Sequence, residues 1–517
     1  MNIFIMTCSS RTKTYTLVHE DFFNAPFQLA WFAIEDVFLR CGACPQKGTN
    51  MSEHISTFVL GGGPAGYAAG IRLGQLGIPA VVAEMDNVGG VCLNRGCIPS
   101  KTLIAAARRL WDAKNGTEQG LYGAENLHIN LEKLIAYKNA VVKKLTGGIA
   151  QLLKLNKTMW LRGRAELTGM HTARVTMADN SVQEWTFDNL ILAPGSIPVS
   201  LPFLPVDGKR ILDSTHALDW THLPQSLFVV GGGVIGLELG GFMATLGTQV
   251  YVVEATDQCM PGTDPELVKV LMRSLKKRGL TVFTSSRVTS MENKGDFVRT
   301  VVETPKGVHE FSTEIALITV GRKPNFEGIG LEHVGLDPKA RFISVDFHMR
   351  TTTPHVYAAG DVTGAPLLAH RATRQAEVAA ENIAGNPVTY NGRAVPAVAY
   401  TDPEVACVGF SADTARAAGY EVAVGRFPFA ACGRAMASGH TEGYIEVIAD
   451  VKTDVILGVQ MVGAEVSELI GQGVVAVELG LTAQDVGKAI FPHPTLSESF
   501  MEAAKAVHGE ALHIAPK

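Results

Sequence analysis

Thr57-Phe-Val-Leu60-Gly61-Gly-Gly-Pro-Ala-Gly66 is the stretch that decides the fold. A short apolar run meets three glycines and a proline, and a helical run then continues to Gly77. A second apolar run ends at Glu84, 23 residues after Gly61. This is a G-x-G-x-x-G strand–turn–helix unit with a trailing acid. Gly61, Gly63 and Gly66 allow a tight turn and close approach of backbone to a pyrophosphate. Pro64 and Ala65 open the helix, whose free N–H groups and positive dipole end favour an anion. Glu84 is placed to accept hydrogen bonds from ribose hydroxyls.

The unit recurs. Leu227-Phe-Val-Val230 leads to Gly231-Gly-Gly-Val-Ile-Gly236, and Val250-Tyr-Val-Val253 ends at Glu254, again 23 residues after the first glycine. Gly231, Gly233, Gly236 and Glu254 therefore repeat the first set. Matching strand ends follow each copy, at Ala193-Pro-Gly195-Ser-Ile-Pro198 and Thr319-Val-Gly321-Arg-Lys-Pro324. One such fingerprint is weak, whereas two in full context are specific. The chain reads as binding two dinucleotides, or one with a degenerate second copy. The second unit, about 199–324, fits inside the first, because Val356-Tyr-Ala-Ala-Gly360-Asp361 supplies a further strand end before a helix. Asp361 points into the crevice of an open α/β sheet or caps that helix. From about 396 the pattern changes to antiparallel strands at 444–448 and 456–461, with helices at about 466–479 and 498–507.

Composition narrows the alternatives. The chain has 517 residues, 46% hydrophobic and 18% charged, which suits about three or four globular domains. A net charge of −5 argues against a nucleic-acid binder. Residues 22–34 form the best candidate membrane segment, 13 uncharged residues between Asp21 and Glu35, well short of the ~20 a span needs. No secretory or transit layout opens the chain, and eight cysteines are too few for a disulfide scaffold. A cytoplasmic enzyme is the expectation. Residues 1–50 show no clear period and read as an extension, or as a start assigned too early. Their Cys41 and Cys44 form a Cys-x-x-Cys without a βαβ context or a second ligand pair.

The chemistry sits in Gly89-Gly-Val-Cys92-Leu-Asn-Arg-Gly-Cys97-Ile-Pro-Ser-Lys101. Two cysteines five apart can form a disulfide if their Cβ vectors converge. A following helix would aim its positive end at them, and Lys101 adds charge. A metal site lacks further ligands nearby. A dithiol gives electrons by thiolate exchange and nicotinamide moves a hydride, so FAD on the first fingerprint and NAD on the second would couple the two. The exchange also needs a proton carrier. His493, in Phe491-Pro-His493-Pro-Thr-Leu-Ser-Glu498, is the candidate, with Glu498 to orient its ring.

Those two motifs resemble the FAD-dependent pyridine-nucleotide:disulfide oxidoreductases, and within them the members that reoxidise dihydrolipoamide. The likeness covers all but the first 50 residues and the last few. It implies an α/β chain of two Rossmann-like domains, the second inserted in the first, and a C-terminal α+β dimerisation domain. The implied division is an extension at 1–50, FAD-binding parts at 51–198 and 325–395, an NAD-binding domain at 199–324 and an interface domain at 396–517. Cys92 would be the interchange thiol and Cys97 the one facing the flavin. Gly61, Gly63, Pro64, Ala65, Gly66, Glu84, Lys101, Gly195 and Asp361 would serve FAD. Gly231, Gly233, Gly236, Glu238, Glu254 and Gly321 would serve NAD, with Glu238 pairing Lys101. A homodimer would bring His493 and Glu498 to the partner's cysteines. The implied partner is the lipoyl domain of a 2-oxo acid dehydrogenase complex or a glycine-cleavage system.

Relatives with other substrates fit less well. Residues 504–517 carry no second cysteine pair, as a mercuric reductase would, and no basic residue follows Glu254 to meet the 2′-phosphate of NADP. Val91, Arg95 and Phe491 depart from the nearest pattern. A redox-sensing flavoprotein would have no need of His493 and Glu498. Because the first βαβ unit begins after Met51, deleting residues 1–50 is expected to leave flavin content, dimerisation and turnover unchanged; loss of flavin from the truncated chain would place those residues in the fold.

Overall fold

The computed structural model describes residues 52–515; Cys41 and Cys44 lie outside them. Strand β1 (Glu53–Leu60) starts earlier than its apolar run, because Glu53 and His54 already pair with the strand that ends the first unit. Helix α1 (Pro64–Gln75) crosses to the parallel strand β2 (Ala80–Glu84), which sets Phe58 against Val81. Three helices follow: α2 (Gly90–Arg95), α3 (Cys97–Lys114) and α4 (Leu131–Leu155). The long strand β3 (Met159–Gly169) begins parallel to β2 and ends antiparallel to β4 (Thr172–Met177). From β4 the ladder passes to β5 (Val182–Leu192) and back to β1, so five strands close on themselves. Side chains of β3 alternate buried and exposed through Leu161, Ala165 and Leu167, as one-sided burial requires.

The chain leaves this sheet through β6 (Ser196–Pro198) and builds a second one from β7 (Ile211–Asp213), β8 (Ser226–Val230), α5 (Val234–Thr245), β9 (Gln249–Val253), α6 (Pro265–Lys277) and β10 (Leu280–Phe283). An antiparallel meander, β11 (Arg287–Asn293), β12 (Val298–Thr304) and β13 (Gly307–Thr313), precedes β14 (Ile315–Ile318). The parallel order is β10-β9-β8-β14-β7. Its central strands are buried along most of their length: Leu227, Val229 and Leu317 pack on the α5 and α6 side, while Phe228, Val230 and Ile318 pack on Val288, Met291, Val298 and Val302 of the meander. Strand β15 (Arg322–Pro324) then pairs antiparallel with β6, so entry and exit of the insert lie side by side. Strand β16 (Val356–Ala358) returns to the first sheet beside β5. No long helix follows Asp361 directly. Residues Asp361–Thr363 make one 3₁₀ turn, Gly364 and Pro366 interrupt, and α7 (Ala369–Ile383) starts later and packs on α1.

The last sheet is antiparallel, ordered β17-β18-β21-β20-β19, from β17 (Ala397–Ala399), β18 (Glu404–Gly409), β19 (Val422–Pro428), β20 (Tyr444–Asp450) and β21 (Ile456–Gly463). Short helices α8 (Ala412–Ala417) and α9 (Gly433–Ser438) sit in its connections. Helices α10 (Val466–Leu479) and α12 (Glu498–Ala506) cover it, with α11 (Ala483–Lys488) between them in the chain. Helix α6 also packs on β18 and β21, and with α10 and α12 in place β20 and β21 are buried throughout.

The two glycine loops have the same construction. Gly61 (φ +101°) and Gly231 (φ +103°) occupy backbone where a side chain is strained, and a Cβ there would strike the carbonyl of Ala193 or Thr319. Gly66 and Gly236 press so closely on Gly61 and Gly231 that a Cβ would run into the carbonyl oxygen. The middle glycines differ. A Cβ on Gly63 would have Gly90 Cα 3.8 Å away as its nearest neighbour, and one on Gly233 would meet nothing within 4 Å. That bare backbone is the surface a diphosphate can approach. Gly236→Ala is therefore expected to lower the melting temperature. Gly233→Ala is expected to keep it and weaken NAD binding about tenfold or more, a loss of roughly 1.4 kcal/mol; thermal unfolding and titration calorimetry separate the two.

Candidate active site

Each strand-end acid holds the middle of its loop. Glu84 Oε2 accepts the Gly62 N–H at 2.8 Å, and its other oxygen accepts the Asp86 N–H at 3.0 Å. Burial pushes the Glu84 carboxyl up, and the Gly62 N–H pulls it back. Glu254 repeats this with the Gly232 N–H at 2.8 Å, and its second oxygen takes the Thr256 N–H and hydroxyl. These acids brace the loops.

Gly195 and Gly321 adopt positive φ at the ends of the matching strands, and a side chain on either would meet open space. Asp361 accepts the Ser196 hydroxyl at 2.5 Å. Ser196 Oγ in turn accepts from Arg322 Nε at 2.8 Å. Burial pulls the Arg322 guanidinium below its usual range, and Asp361 and Asp213 push it back. Asp361 is thus tied to the two connections into and out of the insert, and is not a helix cap. Sequence reading missed Ser196 and Arg322. Their signal was present, since each directly follows the glycine of a matching strand end.

The cysteine segment is built onto the first loop. The Gly89 N–H donates to the Gly62 carbonyl at 2.8 Å. A side chain on Gly90 would press on Gly63 Cα, so only glycine fits both contacts. Cys92 lies in α2, and Gly96 breaks the helix with φ −149°, ψ −108°. Cys97 then becomes the first residue of α3. Cys92 and Cys97 form a disulfide with Cα atoms 4.7 Å apart. The positive end of an eighteen-residue helix falls on Cys97, which favours its thiolate after reduction. The Asn94 amide locks α2 by donating to the Gly90 carbonyl at 2.9 Å. Arg95 pairs with Asp86, and Val91 is 40% exposed beside Cys92.

Lys101, on the first turns of α3, reaches across to α5. Its Nζ is 2.7 Å from Glu238 Oε2, and the Tyr400 N–H donates to Glu238 Oε1 at 2.9 Å. Glu238 is 4% exposed and faces Lys101, not the loop at Gly231–Gly236. The Lys101 ammonium also lies 4.6 Å from the Tyr400 ring centroid.

His493 and Glu498 form the other half. His493 Nδ1 is 2.9 Å from Glu498 Oε1, and Glu498 Oε2 accepts the Thr495 N–H at 2.8 Å. Burial raises the Glu498 carboxyl, and the Thr495 and His493 hydrogen bonds outweigh it, so the group titrates below its usual range. The Thr495 hydroxyl bonds the Pro492 carbonyl and closes the turn. The His493 side chain is 78% exposed, and among the described residues its only hydrogen bond is to Glu498. The fold brings Cys92, Cys97, Lys101 and the first glycine loop together, while His493 and Glu498 stand on the last domain with the ring turned to solvent.

A family model described as pyridine nucleotide-disulphide oxidoreductase matches residues 55–376, and the dimerisation domain of the same family matches residues 395–504. The dihydrolipoyl dehydrogenase of Geobacillus stearothermophilus is 42% identical over 89% of this chain and 98% of its own. The dihydrolipoyl dehydrogenase of Thermus scotoductus is 44% identical over 88% and 98%. The crystal structure of LpdA from Mycobacterium tuberculosis superposes with a TM-score of 0.81 at 30% identity, covering 87% of this chain and 99% of that one. Among the described residues no helix is long and apolar enough to cross a membrane. A redox disulfide packed on the first of two dinucleotide loops accounts for the match: the chain belongs to the pyridine nucleotide-disulphide oxidoreductases, and FAD and NAD are its cofactors.

Proposed function

We propose that this enzyme reoxidises protein-bound dihydrolipoamide to lipoamide with NAD⁺, in the cytoplasm, as a homodimer whose partner is a lipoyl domain. The observation that carries the reading is the Cys92–Cys97 disulfide held against Gly63 by Gly90, with a histidine–carboxylate pair on the matched dimerisation domain. The names of relatives at 39–44% identity give the substrate. The glycine loops fit dinucleotides, because backbone is left bare at Gly63 and Gly233 and an acid stands at each strand end. Gly61, Gly63, Pro64, Ala65, Gly66, Glu84, Lys101, Gly195 and Asp361 would hold FAD, with Glu238 fixing Lys101 beside the flavin; Gly231, Gly233, Gly236, Glu254 and Gly321 would hold NAD. The proposed division is an extension at 1–50, FAD-binding parts at 51–198 and 325–395, an NAD-binding insert at 199–324 and an interface domain at 396–517. FAD, when bound, supplies the exchange between thiol electron pairs and nicotinamide hydride.

The protein's own part is thiol and proton chemistry. His493 takes a proton from one substrate thiol, and the Glu498 carboxylate steadies the imidazolium. The substrate thiolate attacks Cys92 Sγ; the Cys92–Cys97 bond breaks and Cys97 leaves as a thiolate at the start of α3. The second substrate thiol attacks the mixed disulfide, lipoamide departs, and its proton goes to Cys92. Two electrons now reside on the cysteine pair, with one proton on His493 and one on Cys92. Glu254 favours NAD, because its carboxylate would repel a 2′-phosphate.

The exposed His493 ring fits a site shared between protomers, each using its own Cys92 and the partner's base. Loss of such a base typically costs ~10²–10⁴ in rate, so His493→Gln and Cys92→Ser are each expected to be nearly inactive. Mixed dimers of the two are expected to recover the activity of one wild-type site, because one of their two sites receives both intact groups. Co-refolded, verified mixed dimers with no recovered dihydrolipoamide oxidation would refute the shared site.

A further inference from the structure

A second cluster of charge lies at the far end of α3. Arg278 caps α6, and its side chain is only 7% exposed. One nitrogen, Nη2, is 2.7 Å from Asp402 Oδ2. The guanidinium carbon lies 4.1 Å from the Trp111 ring centroid. Nε and Nη1 are buried and meet no acceptor among the described residues. A buried guanidinium N–H left without a partner is costly, so groups of this kind are nearly always paired with protein or with ordered water.

Both orphan donors belong to a side chain that lines a small cavity. Its volume is about 20 Å³, enough for one water molecule. Arg278 and Asp402 lie on its wall, and so do Glu238, Tyr400 and Thr245. Glu238 is the carboxylate that holds Lys101, and the Tyr400 N–H is one of its hydrogen-bond donors. The wall of one cavity therefore joins the Arg278–Asp402 pair to the Lys101–Glu238 pair. Burial lowers the Arg278 guanidinium, while Asp402 and Asp112 hold it charged. Asp112 itself is reached from the surface by His440 at 3.9 Å.

We propose that Arg278 is a positioning residue for the Lys101–Glu238 pair, acting through a single water molecule held in the cavity between them. The water accepts from Arg278 and donates toward Glu238, so that Asp402, Arg278, the water, Glu238 and Lys101 form one alternating array. This rests on the reading that Lys101 stands beside the flavin. The array then sets how much of the Lys101 charge is felt there. Removing Arg278 leaves Glu238 freer to neutralise Lys101 and makes the flavin harder to reduce. Removing the charge of Asp402 does the opposite.

The test uses the FAD-loaded dimer. A high-resolution crystal structure is expected to show one water within hydrogen-bond distance of Arg278 Nε or Nη1 and of Glu238 or Tyr400; a dry cavity overturns the proposal. In redox titration, Arg278→Met is expected to shift the two-electron reduction equilibrium about tenfold toward oxidised enzyme, ~30 mV, and Asp402→Asn to shift it the other way. Arg278→Lys keeps the charge and is expected to restore most of the wild-type potential. A role confined to stability would change the melting temperature and leave all these potentials in place, and that result overturns the proposal. So do shifts of one sign in Arg278→Met and Asp402→Asn. If Arg278→Met does not fold, the signs for Asp402→Asn and Arg278→Lys still decide. Lys101→Met separates the two ideas. A shift there with none in the Arg278 and Asp402 variants overturns the array alone, whereas no shift there overturns the placement of Lys101 and the array with it.

Discussion

Two glycine backbones in contact, Gly63 and Gly90, set the terms for the rest of the molecule. The first belongs to the first glycine loop, and the second opens the segment that carries the cysteines. The Gly89 N–H, bound to the Gly62 carbonyl, ties the cysteine segment to that loop a second time. Protein interiors are packed too densely to absorb an added methyl group at such a point without shifting backbone. Everything downstream, from the break at Gly96 to the start of α3 at Cys97, inherits its position from that contact.

The chemical parts that need local spacing were legible in the sequence. Both glycine loops, both strand-end acids, the cysteine pair and the His493–Glu498 turn are read within windows of about 25 residues. The insertion was legible too, from matching strand ends. What escaped depends on distant chain segments meeting. The Arg322–Ser196–Asp361 chain joins residues up to 165 positions apart, and no periodicity marks it. The antiparallel arm of β3 and β4 escaped because polar residues alternate there without a turn signal strong enough to fix a partner. The pairing of Lys101 with Glu238 came from resemblance alone, since nothing near Glu238 announces a partner 137 residues away. At Asp361 the local pattern misled, because Gly364 and Pro366 delay the helix to Ala369.

Charges buried at domain seams run against the ordinary preference for apolar interfaces. Lys138 is 3% exposed and reaches from α4 to the Leu218 carbonyl at 2.8 Å and to Asp219 at 2.5 Å. Arg108 links α3 to Glu404 and Glu465 of the last domain, at 3.4 and 3.2 Å. Taking Lys138 and Arg108 out of water is costly, and pairing recovers it only in good geometry, while Asp219 and Glu465 stay open to solvent. Apolar contact would hold the domains at a range of angles. Directional pairs at 2.5–3.4 Å select one, which a reaction passing electrons across these seams requires.

The side-by-side passage of β6 and β15 bears on how the polypeptide acquires this shape. Strand β16 must find β5 across roughly 160 intervening residues, and the entropy of closing so long a loop is paid before any contact repays it. An insert whose two ends already touch changes that search. Once the nested sheet has condensed, its ends are held at the strand spacing of about 4.8 Å, and the connection left between β5 and β16 is the β6–β15 pair plus residues 325–355. A chain that folds its insert first thus brings β16 to β5 by closing a loop of about 30 residues in place of one of roughly 160.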